Sequence, residues 1–208
     1  MTQTLTADRH SLHWLPNALT VARILSIPLI VYGILAFSFG WEGPLARLWL
    51  IGGVFIAAVF TDFLDGYLAR RWNVTSSFGR MIDPIADKLL VAGCLIAFMI
   101  ASQGSWLFLI PGLAIIGRDI LVSGAREHAA LSARAMPPTK LAKWKTACEM
   151  LAIAALLVWA FGSSYLAIDT SIPSIGANAK LIGLVLLWLA AALSVYTGQL
   201  YVRAAVKD

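Results

Sequence analysis

Six apolar stretches, each about the length of one bilayer crossing, follow one another along this chain with only short polar breaks. A helix needs about 20 mostly apolar residues to span the hydrocarbon core. The stretches fall at 17–39, 45–70, 79–101, 105–129, 140–161 and 177–202. Inside a bilayer the backbone must satisfy its own hydrogen bonds, so stretches of this length are helices. The predicted fold is an all-α integral membrane protein, with six transmembrane helices in residues 17–208 and a short N-terminal membrane-surface segment, 1–16. Composition agrees: 60% of residues are hydrophobic and 13% charged, against about 25% charged in soluble domains. The mean hydropathy is +0.80. Six spans use up the 208 residues and leave no length for a soluble domain. The first 15 residues lack the apolar run of a cleavable signal peptide. His10, His13 and Trp14 suit the membrane surface. Pro28 and Pro111 fall inside spans and are expected to bend them. Cys94 and Cys148 are isolated in apolar surroundings and read as packing thiols.

The basic residues orient these helices. Of the 16 lysines and arginines, Arg47 and Lys180 fall toward one side and the other fourteen toward the opposite one. The positive-inside rule makes the crowded side cytoplasmic, with both termini on it. A bacterial inner membrane is the expected location. Part of the basic excess also suits anionic head groups or substrate phosphates.

One stretch breaks the apolar pattern: TDFLDGYLARRWNVTSSFGRMIDPIADK, residues 61–88. Asp62 and Asp65 stand three apart, Asp83 and Asp87 four apart, and on helices each spacing puts both carboxylates on one face. A charge near the bilayer centre costs about 2.5–3.5 kcal/mol on the insertion scale, so four carboxylates call for a compensating cation. At a 1.5 Å rise per residue, Asp62 and Asp65 lie about 12 and 8 Å inside the cytosolic end of the second span. Asp83 and Asp87 lie about 5 and 10 Å inside that of the third. The Asp83-Pro84 step leaves open whether Pro84 is the first helical residue with Asp83 as its N-cap. An all-oxygen donor set favours Mg²⁺, Mn²⁺ or Ca²⁺ over zinc, and shared carboxylates suit two bridged ions. Gly66 and Gly79 let a ligand approach the backbone, and Arg70 suits a phosphate. Taken singly, either glycine reads equally well as a helix-packing residue.

The residues spell D-x2-D-G-x2-A-R-x8-G-x3-D-x3-D through Asp62, Asp65, Gly66, Ala69, Arg70, Gly79, Asp83 and Asp87. This resembles, without departure, the signature of the CDP-alcohol phosphotransferase family. The resemblance implies that a CDP-linked lipid, CDP-diacylglycerol, gives its phosphatidyl group to an alcohol and that CMP leaves. It further implies that Asp62, Asp65, Asp83 and Asp87 hold Mg²⁺ or Mn²⁺, two ions, and that Asp87 is the catalytic base. Asp65, Gly66, Ala69, Arg70, Gly79 and Asp83 would surround the nucleotide. The opening LPNALTVARI adds Asn17 and Thr20 to that group, with Arg23 in the same pattern. A homodimer is implied too, and no nucleic-acid partner.

The acceptor rests on other residues. Arg118, Asp119, Ser123, Arg126 and Glu127 lie toward the cytosolic end of the fourth span, and Lys140, Lys143 and Lys145 open the fifth. Ordinary positive-inside charge explains any one lysine, but Arg118 sits within an apolar run. GRDILVSGARE followed by KLAKWKTACEM resembles the branch of the family whose acceptor is sn-glycerol 3-phosphate, with Glu149 standing where a glutamine is common. Arg118, Arg126, Lys140 and Lys143 are thus the expected acceptor-phosphate ligands. Inositol phosphate, phosphatidylglycerol or serine would keep the same chemistry. A cation-coupled transporter is the alternative of another class, but the chain shows no internal repeat of the kind many transporters carry.

Overall fold

Apolar sequence of this kind folds into long helices, and the structure, a computed structural model, consists of them. It describes residues 15–40, 51–61, 77–131, 140–166 and 174–206. The helices are α1, Leu15–Ser38; α2, Ile51–Thr61; α3, Ser77–Ala101; α4, Trp106–Leu131; α5, Lys140–Leu166; and α6, Ser174–Val206. No strand occurs among the described residues. α1 and α3 through α6 each fall over one expected span, with ends displaced by up to five residues, and α2 lies within the second. The expected second span extends on both sides of α2 into positions outside the described residues, as does most of the N-terminal surface segment.

Among the described residues, four helices are long and apolar enough to cross a membrane, over Asn17–Ala36, Met81–Ala101, Trp106–Ala130 and Gly176–Arg203. The chain is an integral membrane protein. Large apolar side chains point outward along these helices, Leu25, Ile120 and Leu181 among them. Lipid tails cover such side chains without the penalty that water would impose.

Pro84 lies inside α3, seven residues after its start. Asp83 is therefore a helical position and not an N-cap, and it shares a face with Asp87 one turn on. α3 ends in a tight turn. The Gly104 amide donates to the Met99 carbonyl at 3.0 Å and the Gln103 amide to the Ile100 carbonyl at 2.9 Å. Gln103 and Gly104 both take positive φ, 53° and 73°, the left-handed close of a Schellman cap.

The chain divides into two compact units. One holds α1 through Gly33, α2, and α3 through Cys94. Its core takes Ile30 from α1, Ala86 and Leu90 from α3, and Ile51, Phe55 and Ala58 from α2, all buried. The α2 residues follow an i, i+4, i+7 stripe, the helical period. The other unit holds α3 from Leu95 together with α4, α5 and α6. There Phe98 stacks on Phe108 at 6.4 Å and Phe108 on Trp159 at 6.2 Å, joining α3, α4 and α5. α6 packs against both α4 and α5.

The α5–α6 contact depends on Gly183. A Cβ there would stand 2.8 Å from Cγ and Cδ2 of Leu156 and 3.2 Å from its backbone nitrogen, and Leu156 is fully buried. Small residues let membrane helices approach this closely. Gly183→Leu should therefore destabilise the protein by about 1–3 kcal/mol, read as a lowered thermal unfolding midpoint in detergent. An unchanged midpoint would show that the two helices do not meet here.

Candidate active site

The described half of the aspartate stretch lies on α3 and is met by α1. Thr20 and Arg23 stand three apart on α1, and both are 2% exposed. Asp83 and Asp87 stand one turn apart on α3. The Thr20 hydroxyl donates to Asp83 Oδ1 at 2.7 Å, and Arg23 Nη1 donates to Asp87 Oδ1 at 2.7 Å. Two rungs thus join the helices at matching spacing. Arg23 is buried while the Asp87 side chain is 43% exposed. The pair is anchored at the arginine end and open at the carboxylate. A carboxylate offers about four lone-pair positions, so a rung to α1 leaves room on the same group for a metal ion or a proton.

Gly79 is buried one turn before Asp83, and Asn17 is half-buried one turn before Thr20. Asp62, Asp65, Gly66, Ala69 and Arg70 lie outside the described residues. Among the described residues no three of His, Cys, Asp and Glu converge. Asp83 and Asp87 supply two hard oxygen donors, the kind that Mg²⁺ or Mn²⁺ takes.

The second polar cluster is built by α4, α5 and α6. Arg118 Nη1 donates to Asp119 at 2.9 Å and Nη2 to the Thr197 hydroxyl at 3.0 Å. Lys145 Nζ lies 2.6 Å from Asp119 Oδ1 and 2.8 Å from Glu149 Oε1. Lys145 and Glu149 side chains are each 3% exposed. Two cations and two carboxylates balance, as buried charges must. Arg126 Nη2 donates to the Tyr201 hydroxyl at 3.0 Å. Lys143 is exposed. Lys140 is the first residue of α5, and its side chain lies outside the described ones. A groove of about 610 Å³ runs between α4 and α6, with Arg118, Gln199 and Arg203 as its polar lining. That volume is in the range of small-ligand sites.

The family pattern of CDP-alcohol phosphatidyltransferases matches residues 13–196. The chain belongs to this family. A relative in Rickettsia bellii named CDP-diacylglycerol--glycerol-3-phosphate 3-phosphatidyltransferase is 42% identical over 193 residues, covering 93% of this chain and 96% of its own. A protein of the same name in Cereibacter sphaeroides is 37% identical over 220 residues, covering 94% and 97%. A rice protein named cardiolipin synthase (CMP-forming) is 36% identical over 200 residues, 91% of this chain and 56% of its own length.

Within this phosphatidyltransferase fold the structure brings together Thr20 with Asp83, and Arg118 with Asp119, Lys145 and Glu149. Sequence reasoning paired none of them, and it passed over Thr197 and Tyr201 altogether. Two signals were available: Arg23 follows Thr20 by one turn, and Lys145 precedes Glu149 at the i, i+4 spacing of a helical ion pair. Removing the central cation tests the network. Lys145→Met leaves the buried Glu149 carboxylate without its cation and Asp119 with Arg118 alone. The expected loss is about 3–5 kcal/mol, measured as a depressed unfolding midpoint in detergent. A wild-type midpoint would mean the network contributes no net stability.

Proposed function

We propose that this chain transfers the phosphatidyl group of CDP-diacylglycerol to sn-glycerol 3-phosphate, yielding phosphatidylglycerophosphate and CMP. The observation that carries this reading is near-full-length identity to relatives named for that reaction. The paired carboxylates on α3 support the chemistry. A hydroxyl oxygen of the acceptor bonds to the phosphatidyl phosphorus, the bond from that phosphorus to the CMP phosphate breaks, and Asp87 takes the hydroxyl proton. Thr20 and Arg23 keep Asp83 and Asp87 in register for this work.

Asp62, Asp65, Asp83 and Asp87 would hold two Mg²⁺ or Mn²⁺ ions. Such ions neutralise charge on phosphoryl oxygens and on the departing nucleotide. The nucleotide is assigned to Asn17, Thr20, Asp65, Gly66, Ala69, Arg70, Gly79 and Asp83. Arg118, Arg126, Lys140 and Lys143 are assigned to the acceptor phosphate, and Lys145 joins that group only as a neutralised partner of Asp119 and Glu149. The reading includes six spans, cytoplasmic termini and active site, and a homodimer.

Purified protein should release CMP from CDP-diacylglycerol when given glycerol 3-phosphate and Mg²⁺, and a chelator should stop the release. Asp87→Asn should lower kcat by at least about 100-fold. Full turnover in that variant rules out Asp87 as the base.

A second reading keeps the chemistry and takes phosphatidylglycerol as acceptor, and the rice relative's name favours it. Glycerol 3-phosphate, phosphatidylglycerol and inositol phosphate assayed side by side decide between the readings, with glycerol 3-phosphate expected to be turned over fastest. Arg118→Ala should raise the KM for glycerol 3-phosphate by about tenfold or more, the effect of losing a hydrogen bond to a charged group. An unchanged KM removes Arg118 from the phosphate pocket.

A further inference from the structure

Both α4 arginines assigned to the acceptor phosphate rest on one stripe of α6. The Arg118 stem crosses α6 at Gly198, where an added Cβ would stand 2.8 Å from Arg118 Cγ and 3.8 Å from its Cβ. Those atoms are at the root of the side chain and cannot swing aside as a guanidinium tip can. At the residue just before it, the Thr197 hydroxyl accepts from Arg118 Nη2 at 3.0 Å. The same hydroxyl gives its own proton to the Leu193 carbonyl at 2.7 Å, which turns its lone pairs toward the guanidinium. Thr197 is fully buried, so no solvent competes for that bond.

Tyr201 continues the stripe one turn on and is 4% exposed. Its hydroxyl accepts from Arg126 at 3.0 Å. Its ring centroid lies 4.8 Å from the Arg126 guanidinium carbon and 5.8 Å from that of Arg118, within cation–π range for both. Each arginine also keeps a buried Nε with no hydrogen-bond partner among the described residues. A buried donor left in this way is costly unless something accepts from it, and an oxyanion does so well.

We propose that Thr197, Gly198 and Tyr201 are positioning residues, which hold Arg118 and Arg126 as one preformed anion-binding pair for the acceptor phosphate. The inference rests on the assignment of those arginines to that phosphate. Neither Thr197 nor Tyr201 needs to touch the acceptor. Their effect is on the arginines, rotamer-rich side chains that lose little freedom on binding when already held.

Steady-state kinetics on the purified full chain test this, with glycerol 3-phosphate and CDP-diacylglycerol varied in turn. Gly198→Ala should raise the KM for glycerol 3-phosphate about tenfold, the scale of a small displacement of a binding group. The kcat and the KM for CDP-diacylglycerol should stay within about twofold, since the stripe acts on acceptor binding alone. Thr197→Val, which keeps the shape and loses the acceptor oxygen, should raise the same KM, and Thr197→Ser should restore it. Tyr201→Phe should act as Thr197→Val does, because the ring remains and the hydroxyl is lost. If Arg118→Ala raises the KM and these α6 variants do not, the positioning role is overturned. If all kinetic parameters and the unfolding midpoint fall together and Thr197→Ser rescues nothing, the stripe is structural only, which also overturns it. An unchanged KM in Arg118→Ala instead overturns the phosphate assignment beneath it.

Discussion

A charge carried into a membrane protein has to be met by another charge or by hydrogen bonds close at hand, because no bulk water is there to solvate it. Each polar cluster here meets that constraint in its own way. On α4 and α5, Arg118 and Lys145 face Asp119 and Glu149, and the four formal charges cancel. On α1 and α3, buried Arg23 answers the more open Asp87, and Thr20 answers Asp83. The helices can carry these residues only where such partners stand opposite. Helix pairing and site construction are for that reason a single problem.

The two clusters differ in what they leave available. Lys145 and Glu149 are sealed side by side on α5, and the Lys145 bond to Asp119 ties α5 to α4 and orients Asp119. Buried pairs of this kind are costly to break but give modest net stability over apolar packing. Glu149 takes on physical meaning in this setting. A glutamine at that position would hydrogen-bond to Lys145 without neutralising it, whereas the carboxylate makes the group electrically balanced. The Asp87 carboxylate, in contrast, is nearly half exposed while its arginine partner is buried. That asymmetry suits a group that must exchange a proton or hold an ion.

Family membership and this geometry support each other at different levels. The match over residues 13–196 speaks to reaction class. The α1–α3 rungs explain how carboxylates on a hydrophobic helix are kept in register. A rice relative, 36% identical, carries a different name, cardiolipin synthase (CMP-forming). The α4 arginines with their α6 seats are where the proposed acceptor-phosphate contacts lie.

What the sequence determined alone was what depends on short range. Hydropathy over about 20 residues set the apolar helices, and the ends of α1 and of α3 through α6 lie within about five residues of expectation. The four-residue spacing put Asp83 and Asp87 on a common face of α3, and the eight signature positions carried the family. The tertiary structure decided what depends on which faces meet. Thr20 finds Asp83 and Arg23 finds Asp87 across 63 and 64 residues of sequence. Arg118 finds Thr197 across 79, and Arg126 finds Tyr201 across 75. Asp83 also became a helical residue rather than a cap, because α3 begins at Ser77, ahead of Pro84. Periodicity records that a helix has a face but not its neighbour, and the largely apolar α6 gave no sign that Thr197, Gly198 and Tyr201 lie under two arginines. Only the packing of α4 against α6 supplies that.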